Sequence, residues 1–294
     1  MDGAAYLAAQ REKIDRFLDE TLPGSDSTLH EAMRYSLLAG GKRLRPGLAV
    51  AAYEAVEGTS QDIIRMASTL ELIHTYSLIH DDLPAMDDDN YRRGKPASHK
   101  AFTEAIAILA GDALLTLAFE VASQPGVLAN DISEGTRLQV IRELAEGSGS
   151  FGMVGGQAID IESEGMAIDA KRLEHIHKHK TGKLFRAAVR IGALMGEASA
   201  EQLDLLTRYS EDIGLAFQIN DDILNVVGAR TKLGKSTNSD AARGKPTYPA
   251  FFGIDASRQK VKALTERAIH WLESFGLPAE PLRAIAIFQL SRTS

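Results

Sequence analysis

The stretch His80-Asp81-Asp82-Leu83-Pro84-Ala85-Met86-Asp87-Asp88-Asp89-Asn90 holds five aspartates, and Arg92 and Arg93 follow it closely. Carboxylates this close together repel one another, so they need a multivalent cation unless water alone solvates them. Hard oxygen ligands favour Mg²⁺ or Mn²⁺ over zinc. The neighbouring arginines indicate that such a metal carries a phosphate. The competing interpretation is a helix that ends in a solvated acidic loop.

The segment before the acidic run has helical periodicity, with one apolar and one polar stripe. The polar stripe consists of His74, Ser77 and Asp81 at positions i, i+3 and i+7. His74 and Asp81 differ by about 20° around the helix and by about 10 Å along it, so one cleft can be lined by both. A solvated or capped His74 is the alternative. Pro84 is expected to break the helix or bulge its last turn, and so to bring Asp87 back beside Asp81.

A second acidic pair, Asp221 and Asp222, lies inside a strongly apolar segment, 213–227. Aspartate is rarely buried without a partner, so this pair indicates ligands rather than ordinary surface charge. Gln218, Asp221 and Asn225 repeat the i, i+3, i+7 spacing of the first stripe. The two polar stripes therefore predict opposed walls of one metal site.

Basic side chains suited to a diphosphate occur at several places in the sequence. Lys42 and Arg45 follow two glycines, which let a backbone approach an anion closely. Arg92 and Arg93 precede a glycine at a predicted turn. Each of these groups can also be an ordinary solvated charge. The remaining candidates are Lys180 in the basic helical patch 177–183, and Lys235 and Lys245 on Gly-containing loops that suit closure over a phosphate.

Composition and motif content exclude several other functions. The 294-residue chain has no cysteine, which excludes disulfides and thiolate metal sites and is compatible with a reducing cytoplasm. Its net charge of −7 argues against a nucleic-acid surface, because a phosphate backbone requires a basic stripe. The sequence holds no Walker-type phosphate loop and no Gly-x-Ser-x-Gly elbow. The charged N-terminus lacks the apolar stretch of a signal peptide, and no run approaches the ~20 apolar residues of a membrane span.

Helical periodicity runs through nearly the whole chain, with abundant Ala and Leu and no secure strand. Linkers and fixed-period repeats are missing, so one domain over 1–294 is the simpler interpretation. The expected fold is all-α, a single large helical bundle whose functional residues face one another from neighbouring helices. The predicted helices cover about 4–19, 27–39, 44–57, 60–82, 99–123, 134–147, 152–164, 169–195, 199–227, 240–252, 256–274 and 279–290.

An ordered set of motifs spans nearly the whole chain. They are Gly-Gly-Lys-Arg-Leu-Arg-Pro at 40–46, His-Thr-Tyr-Ser-Leu-Ile-His-Asp-Asp-Leu-Pro-Ala-Met-Asp-Asp-Asp at 74–89, Arg-Arg-Gly at 92–94, Gly-Gly-Gln-Ala at 155–158, His-Lys-Thr-Gly at 179–182, and Gly-Leu-Ala-Phe-Gln-Ile-Asn-Asp-Asp-Ile-Leu at 214–224. This set resembles that of the trans-prenyl diphosphate synthases, and most closely that of the bacterial farnesyl diphosphate synthases (geranyltranstransferases). Such an order is far more specific than any single motif.

The resemblance implies an all-α homodimer that acts on small diphosphate substrates, with neither nucleic acid nor membrane as a partner. The implied reaction condenses isopentenyl diphosphate with dimethylallyl or geranyl diphosphate to give farnesyl diphosphate (C15) and pyrophosphate, after ionisation of the allylic diphosphate. Three Mg²⁺ ions, or Mn²⁺ in their place, would be held by Asp81, Asp82 and Asp87 together with Asp221 and its neighbour Asp222.

The resemblance also implies roles for the polar and basic side chains. The allylic diphosphate would be held by Arg92, Lys180, Lys235 and Lys245. Isopentenyl diphosphate would be held by Lys42, Arg45, His74 and Arg93. Thr181 and Gln218 would steady the allylic cation, and the departing pyrophosphate would take the proton.

Product length is expected to depend on the wall beneath the first aspartates. Tyr76 lies five residues before Asp81, which is ~7–8 Å of helix rise, and a ring there would stop the growing chain. By resemblance, an aromatic residue at this position and the insertion of Leu83-Pro84 fit a C15 product, and Ser77 belongs to the same wall. Simple core packing of Tyr76 is the competing interpretation.

Three other functions stay open: a sibling synthase with a longer product, a terpene cyclase and a non-catalytic subunit. A geranylgeranyl diphosphate synthase (C20) differs mainly in the wall around Tyr76 and Ser77. A terpene cyclase would not need Lys42, Arg45 and Arg93. A non-catalytic subunit that binds a prenyl synthase would have lost acids from the first site, and this chain keeps all of them.

One residue departs from the family pattern. The second acidic site of the family ends in aspartate, whereas this chain has Asn225. Asparagine keeps an oxygen acceptor and loses one negative charge. The departure predicts weaker metal binding at this end of the site.

Overall fold

Helices provide nearly all the regular structure in the computed structural model, which describes residues 1–59, 62–125, 132–231 and 247–290, the side chains of 228–231 excepted. The predicted all-α fold is confirmed. The α-helices are α1 Gly3–Thr21, α2 Thr28–Leu37, α3 Leu44–Ala55, α4 Ile63–Asp81, α5 Ser98–Ala101, α6 Glu104–Ser123, α7 Glu134–Ser148, α8 Met153–Glu162, α9 Ala170–Ile176, α10 Lys183–Met195, α11 Ala200–Thr231, α12 Tyr248–Phe252, α13 Ile254–His270 and α14 Glu280–Leu290. A π-helix, His177–Gly182, joins α9 to α10, and 3₁₀ turns lie at Glu273–Phe275 and Leu277–Ala279.

Helix α4 is surrounded by other helices and carries the first polar stripe at its C-terminal end. It contacts α1, α2, α3, α6 and α10. Nearly every residue from Ile63 to Ile73 is buried, which explains why this helix is apolar on almost all sides. The main hydrophobic core also takes residues from α3, α10 and α11. This packing holds the end of α4, and with it Asp81, in a fixed place.

The chain leaves the helix at the acidic run, where Pro84 predicts a break. Helix α4 ends at Asp81, and residues 82–87 form turns. The amide of Asp87 donates a hydrogen bond to the carbonyl oxygen of Asp81 at 2.8 Å. The chain therefore folds back and brings Asp87 beside Asp81, as the position of Pro84 predicted.

A short hairpin follows the acidic run and was not predicted. Strand β1, Tyr91–Arg92, pairs with strand β2, Lys95–Pro96, in antiparallel register. The two turn residues, Arg93 and Gly94, have φ values of 52° and 79°. Two successive residues with positive φ form the type I′ turn whose twist matches that of the strands. The hairpin turns Arg93 back over the body of the protein.

Two predicted helices require correction. The predicted helix 99–123 is divided at Phe102, where ψ is −118°, and α6 begins after Thr103, whose side chain accepts a hydrogen bond from the amide of Ile106 at 3.2 Å. This cap satisfies an amide at the start of α6, so a new helix begins there. Most of the predicted helix 240–252 lies outside the described residues, and its described end is α12.

Helix α6 is strongly apolar although much of it is not buried. By length and composition it matches a membrane-spanning helix, and 39% of the matching window is buried inside the fold. The expectation that no run approaches a membrane span was therefore wrong, because the alanines between the larger apolar residues keep the mean hydropathy of the helix high. Ile108 and Leu109 are 43% and 51% exposed. Helix α6 thus leaves two large apolar side chains exposed on the outside of the chain.

Candidate active site

A cavity of about 510 Å³ lies between α4, α8, the π-helix and α11. His74, Ser77 and Asp81 line it from α4, and Gln218 and Asp221 line it from α11. The two polar stripes therefore face the same cavity, as their spacing predicted. A smaller cavity of about 120 Å³ adjoins it, and the two share lining residues from the π-helix and α11.

Asp81 lies in the large cavity with its carboxylate partly enclosed. Its Oδ1 accepts a hydrogen bond from Nε2 of Gln157 at 2.9 Å. Burial raises the pKa of Asp81 to about 6, Lys180 opposes that rise, and the nearby charge of Asp87 adds to it. A bound cation would stabilise the ionised form of this carboxylate, which burial disfavours.

Asp82 is not among the residues that line the large cavity, and its carboxylate pairs with Arg92. Its carboxylate is 2% exposed and accepts hydrogen bonds from Nε of Arg92 at 2.9 and 3.2 Å and from Nη2. Burial raises the pKa of Asp82, and the bonds from Arg92 oppose the rise. Arg92 also contacts Asp89 at 3.1 Å. The structure thus joins two predicted site residues to each other, and Arg92 faces aspartates rather than the large cavity.

The second acidic pair is divided between the two cavities. Asp221 lines the large cavity, whereas Asp222 is 5% exposed and lines the small one. The Asp222 carboxylate accepts hydrogen bonds from the amide of Tyr248 at 2.8 Å and from Nε2 of Gln218 at 3.2 Å. Asn225, one turn further along α11, is exposed and lines neither cavity. Its departure from the family pattern therefore lies at the edge of the site.

The acidic side chains share a cleft without meeting at one point. Among the described residues, no three His, Asp or Glu side chains are gathered as the ligands of a single ion. Asp87 lines the small cavity with Asp222, and Asp81 lines the large cavity with Asp221. The large cavity thus offers two carboxylates, and the small cavity offers those of Asp87, Asp160 and Asp222.

The π-helix supplies Lys180 and Thr181 to both cavities. The hydroxyl of Thr181 donates a hydrogen bond to Oε1 of Gln218 at 2.7 Å, which fixes the two side chains against each other. A Cβ atom on Gly156 would overlap the backbone of Lys180, so α8 and the π-helix approach backbone to backbone only because this residue is glycine. π-helical turns inside α-helices often mark functional sites.

Two residues of α8 belong to the site although sequence reasoning gave them no role. Gln157 bonds Asp81, and Asp160 accepts a hydrogen bond from Nζ of Lys180 at 2.7 Å. They stand at i and i+3, so they lie on the same side of the helix. That polar spacing next to the Gly155–Ala158 motif is the signal that could have identified them.

Two of the four predicted isopentenyl diphosphate ligands line the large cavity, whereas Lys42 and Arg93 do not. Arg45 and His74 line it, and Lys42 is exposed nearby in sequence. Burial lowers the pKa of Arg45 to about 10, whereas Glu71 and Asp221 raise it. Burial and the adjacent arginines place the pKa of His74 well below its ordinary value, so this imidazole is neutral at pH 7. A neutral imidazole can donate one hydrogen bond to a phosphate.

Apolar residues form another part of the lining of the large cavity. Tyr76 is 6% exposed and lines the cavity together with Met153, Val154 and Ile161. The His80 ring stands edge-to-face to the Tyr76 ring at 5.8 Å, and Nε2 of His80 lies 3.0 Å from the carbonyl oxygen of Ile108. Tyr76 therefore contributes a bulky aromatic ring to the wall of the large cavity.

Two predicted diphosphate ligands, Lys235 and Lys245, lie outside the described residues. Their roles stay predictions.

Comparison with known proteins gives consistent results over almost the whole chain. Residues 26–272 match the Polyprenyl synthetase family. The farnesyl diphosphate synthase of Escherichia coli strain K12 is 45% identical over 292 residues, which cover 98% of this chain and 97% of that protein. The geranylgeranyl diphosphate synthase of Cyanophora paradoxa is 44% identical over 292 residues, 98% of this chain and 96% of that protein.

A solved structure gives the same result in three dimensions. The apo structure of an FPP/GFPP synthase from Zymomonas mobilis matches with a TM-score of 0.86 at 40% identity and covers 97% of both chains. The family resemblance found in the sequence motifs is therefore confirmed. The chain belongs to the polyprenyl synthetase family and is a prenyltransferase.

Proposed function

We propose that this prenyltransferase joins isopentenyl diphosphate to dimethylallyl or geranyl diphosphate and releases farnesyl diphosphate (C15) and pyrophosphate. The observation that carries the proposal is the composition of one cavity. Its lining has a charged part, which includes Asp81, Asp221 and Lys180, and an apolar part, which includes Tyr76 and Met153. A diphosphate with an alkyl tail matches both parts.

The chemistry follows from charge. As the allylic C–O bond breaks, pyrophosphate takes the electron pair, and the cations around it stabilise the developing negative charge. The double bond of isopentenyl diphosphate then forms a bond to the allylic carbon, and the resulting cation loses a proton to pyrophosphate. Thr181 and Gln218 line the cavity with oxygen lone pairs that stabilise positive charge on carbon.

The carboxylates of the two cavities fit Mg²⁺. Mg²⁺ in phosphate-transfer sites takes one or two carboxylates and completes its octahedron with water and substrate phosphates. Asp81 and Asp221 in one cavity, and Asp87 and Asp222 in the other, provide such places. We propose three Mg²⁺ ions, as the resemblance implies, with Asp82 as a further ligand. Bound Mg²⁺ would supply Lewis-acid stabilisation of the departing pyrophosphate.

Mg²⁺ is expected to stabilise the protein above about pH 6 and much less below it, because Asp81 must be ionised to bind a cation. The folded-state pKa of Asp81 is raised from 3.8 to about 6. In metal-free protein its contribution to stability is therefore fully present below pH 3.8 and is lost as the pH rises through about 6. Thermal melting at about pH 5 and about pH 7.5, with and without Mg²⁺, measures the effect. The same shift at both pH values, or an undiminished shift in Asp81→Asn, would contradict it.

A C20 product is the second candidate. It is favoured by the geranylgeranyl diphosphate synthase of Cyanophora paradoxa, whose identity to this chain nearly equals that of the farnesyl enzyme. The buried ring of Tyr76 in the wall of the large cavity supports C15.

The assay that tests the proposed function uses purified protein with dimethylallyl diphosphate, isopentenyl diphosphate and Mg²⁺, followed by dephosphorylation and chromatography of the alcohols. Farnesol as the main alcohol is expected. Geranylgeranyl alcohol would establish the second candidate, and no alcohol longer than the starting one would overturn both.

We also propose that the protein is a homodimer that acts in the cytoplasm, with α6 at the interface between subunits. Ile108 and Leu109 are large apolar residues with substantial exposure on a helix whose opposite side is buried in the core. Large apolar side chains that are exposed side by side often mark an interaction surface. A second copy of the same chain would cover it.

Leu109→Glu is expected to shift the protein from dimer to monomer, because it places a charge in the proposed interface. Sedimentation equilibrium measures the mass against the 31.8 kDa of one chain. Leu277→Glu is the matched control, because Leu277 is 85% exposed outside α6 and should keep the dimer. A monomeric parent protein, or a variant that stays dimeric, would contradict the proposal.

A further inference from the structure

Glu71 is a buried carboxylate with no role in the chemistry described above. It lies on α4, three residues before His74, and is 2% exposed. Its Oε1 accepts a hydrogen bond from Nη1 of Arg43 at 2.5 Å and another from Nη2 of Arg93 at 3.3 Å. A buried glutamate among apolar residues requires such partners.

The two arginines that meet at Glu71 come from separate segments of the chain. Arg43 precedes α3 in a left-handed conformation, with φ 46°, and Arg93 lies in the turn of the β1–β2 hairpin, with φ 52°. Such φ values are uncommon for arginine, so the surroundings must hold both residues in place. Nη1 of Arg93 also donates to the carbonyl oxygen of Gly40. Glu71 and Arg93 thus tie the hairpin to the loop that enters α3.

Arg43 is itself held on three sides. Besides Glu71, it donates from Nε to Oδ1 of Asp15 at 2.7 Å and from Nη2 to the carbonyl oxygen of Leu37 at 2.7 Å. Its side chain is 1% exposed, so it serves as a structural anchor and cannot reach a substrate. Two of the predicted isopentenyl diphosphate ligands lie next to this anchor in the sequence: Lys42 directly precedes Arg43, and Arg45 follows it by two residues.

Glu71 also provides the negative charge for a crowded set of arginines. It raises the pKa of Arg43, Arg45 and Arg93, and it is the first of the opposing charges after burial in each case. Burial lowers the pKa of Arg93, and the positive charge of Arg43 lowers it further. Without a carboxylate between them, these guanidinium groups would separate.

We propose that Glu71 is the positioning residue of the isopentenyl diphosphate half of the site. It holds Arg93 directly, and through Arg43 it holds the loop that carries Lys42 and the start of α3 that carries Arg45. It does not contact the substrate in this role. The inference rests on the proposed function, in which these basic groups receive the diphosphate of the second substrate.

Glu71→Gln is the test, because it keeps the shape of the side chain and removes its charge. The KM for isopentenyl diphosphate is expected to rise about tenfold, whereas the KM for geranyl diphosphate changes less than about twofold. A residue that only fills the core would leave the ratio of the two KM values unchanged. If Glu71 only weakened the positive field around the arginines, Glu71→Gln would lower the KM for isopentenyl diphosphate, because the arginines would then attract diphosphate more strongly. Either result overturns the proposal.

Glu143→Gln is the matched control. Glu143 is another buried glutamate, 8% exposed, and it pairs with Arg190 at 2.7 Å and Arg186 at 3.7 Å away from both cavities. Its loss should lower the melting temperature and leave both KM values unchanged. A tenfold rise in the KM for isopentenyl diphosphate in this variant would show that any lost buried charge has the effect, and would overturn the specific role of Glu71.

A second variant keeps the test decisive if Glu71→Gln does not fold. Glu71→Asp retains the charge but is one methylene shorter, so it cannot bond Arg43 and Arg93 together as Glu71 does. Calorimetric titration with isopentenyl diphosphate alone, which has no allylic partner to react with, should give a Kd several-fold above the parent value. An unchanged Kd overturns the proposal. A parent protein that forms no prenyl product refutes the proposed function instead, so the two failures are distinguishable.

Discussion

Replacing Asp81 by asparagine is expected to lower kcat for the condensation of geranyl and isopentenyl diphosphates by roughly 10²–10³-fold, the loss typical when one group that stabilises transition-state charge is removed. Asp81 lines the large cavity, and its burial disfavours the ionised carboxylate unless a cation stabilises it. The amide keeps the size of the side chain and its bond from Gln157, but it binds Mg²⁺ far more weakly. Initial rates at saturating substrates and Mg²⁺ measure the effect.

Asp88→Asn is the control for this variant. Asp88 belongs to the same acidic run, yet it is exposed and lines neither cavity. Its φ of 48° is well tolerated by asparagine, so the backbone should not change. We expect kcat to stay within about twofold of the parent value, as for most surface substitutions. Equal losses in the two variants would mean that the total charge of the run matters rather than the position of Asp81.

Tyr76→Ala is expected to change the main product from C15 to C20. The Tyr76 ring is 6% exposed, borders the large cavity and packs edge-to-face with His80 at 5.8 Å. Its removal would open space beyond the farnesyl chain, so farnesyl diphosphate could stay bound as the next allylic substrate. Chromatography of the dephosphorylated products, with isopentenyl diphosphate in excess, gives the ratio of the two alcohols.

Tyr76→Phe separates the ring from the hydroxyl group. Burial raises the pKa of Tyr76 to about 12, so the hydroxyl is neutral and the ring alone should block the chain. This variant should keep C15 as its main product. If Tyr76→Ala also keeps C15, the floor of the cavity lies elsewhere and Tyr76 is a core residue.

The parts of the site that could be predicted from the sequence depend on short-range geometry. Helical spacing places His74 and Asp81 on one side of α4 and Gln218 and Asp221 on one side of α11, and the structure brings these sides to a common cavity. Pro84 has a local steric effect on the helix, so the return of Asp87 to Asp81 was also predictable.

The parts that could not be predicted depend on partners far away in the sequence. Glu71 has the periodicity of a core position on α4, and nothing local shows that two arginines meet there. The hairpin turn at Arg93-Gly94 lacks the Asn-Gly or Asp-Gly pair that usually signals it. Lys180 reaches Asp160 on α8 because Gly156 lets the two backbones come close, which is a tertiary contact.

The π-helix His177–Gly182 lets the residues that line the cavities and the residues that pack in the core take independent directions around the helix axis. Its wider turn contains one residue more than an α-helical turn, and one residue corresponds to about 100° of rotation. Lys180 and Thr181 can therefore face the cavities while α10 presents Leu184, Phe185 and Ala188 to the core. The core-facing residues of α10 can consequently change without turning Lys180 and Thr181 away from the cavities. Changes at Lys180 and Thr181 likewise leave the packing of α10 in the core unchanged. The deletion of one uncharged residue of this segment, such as Gly182, would bring the two helical phases into conflict while removing no charged group.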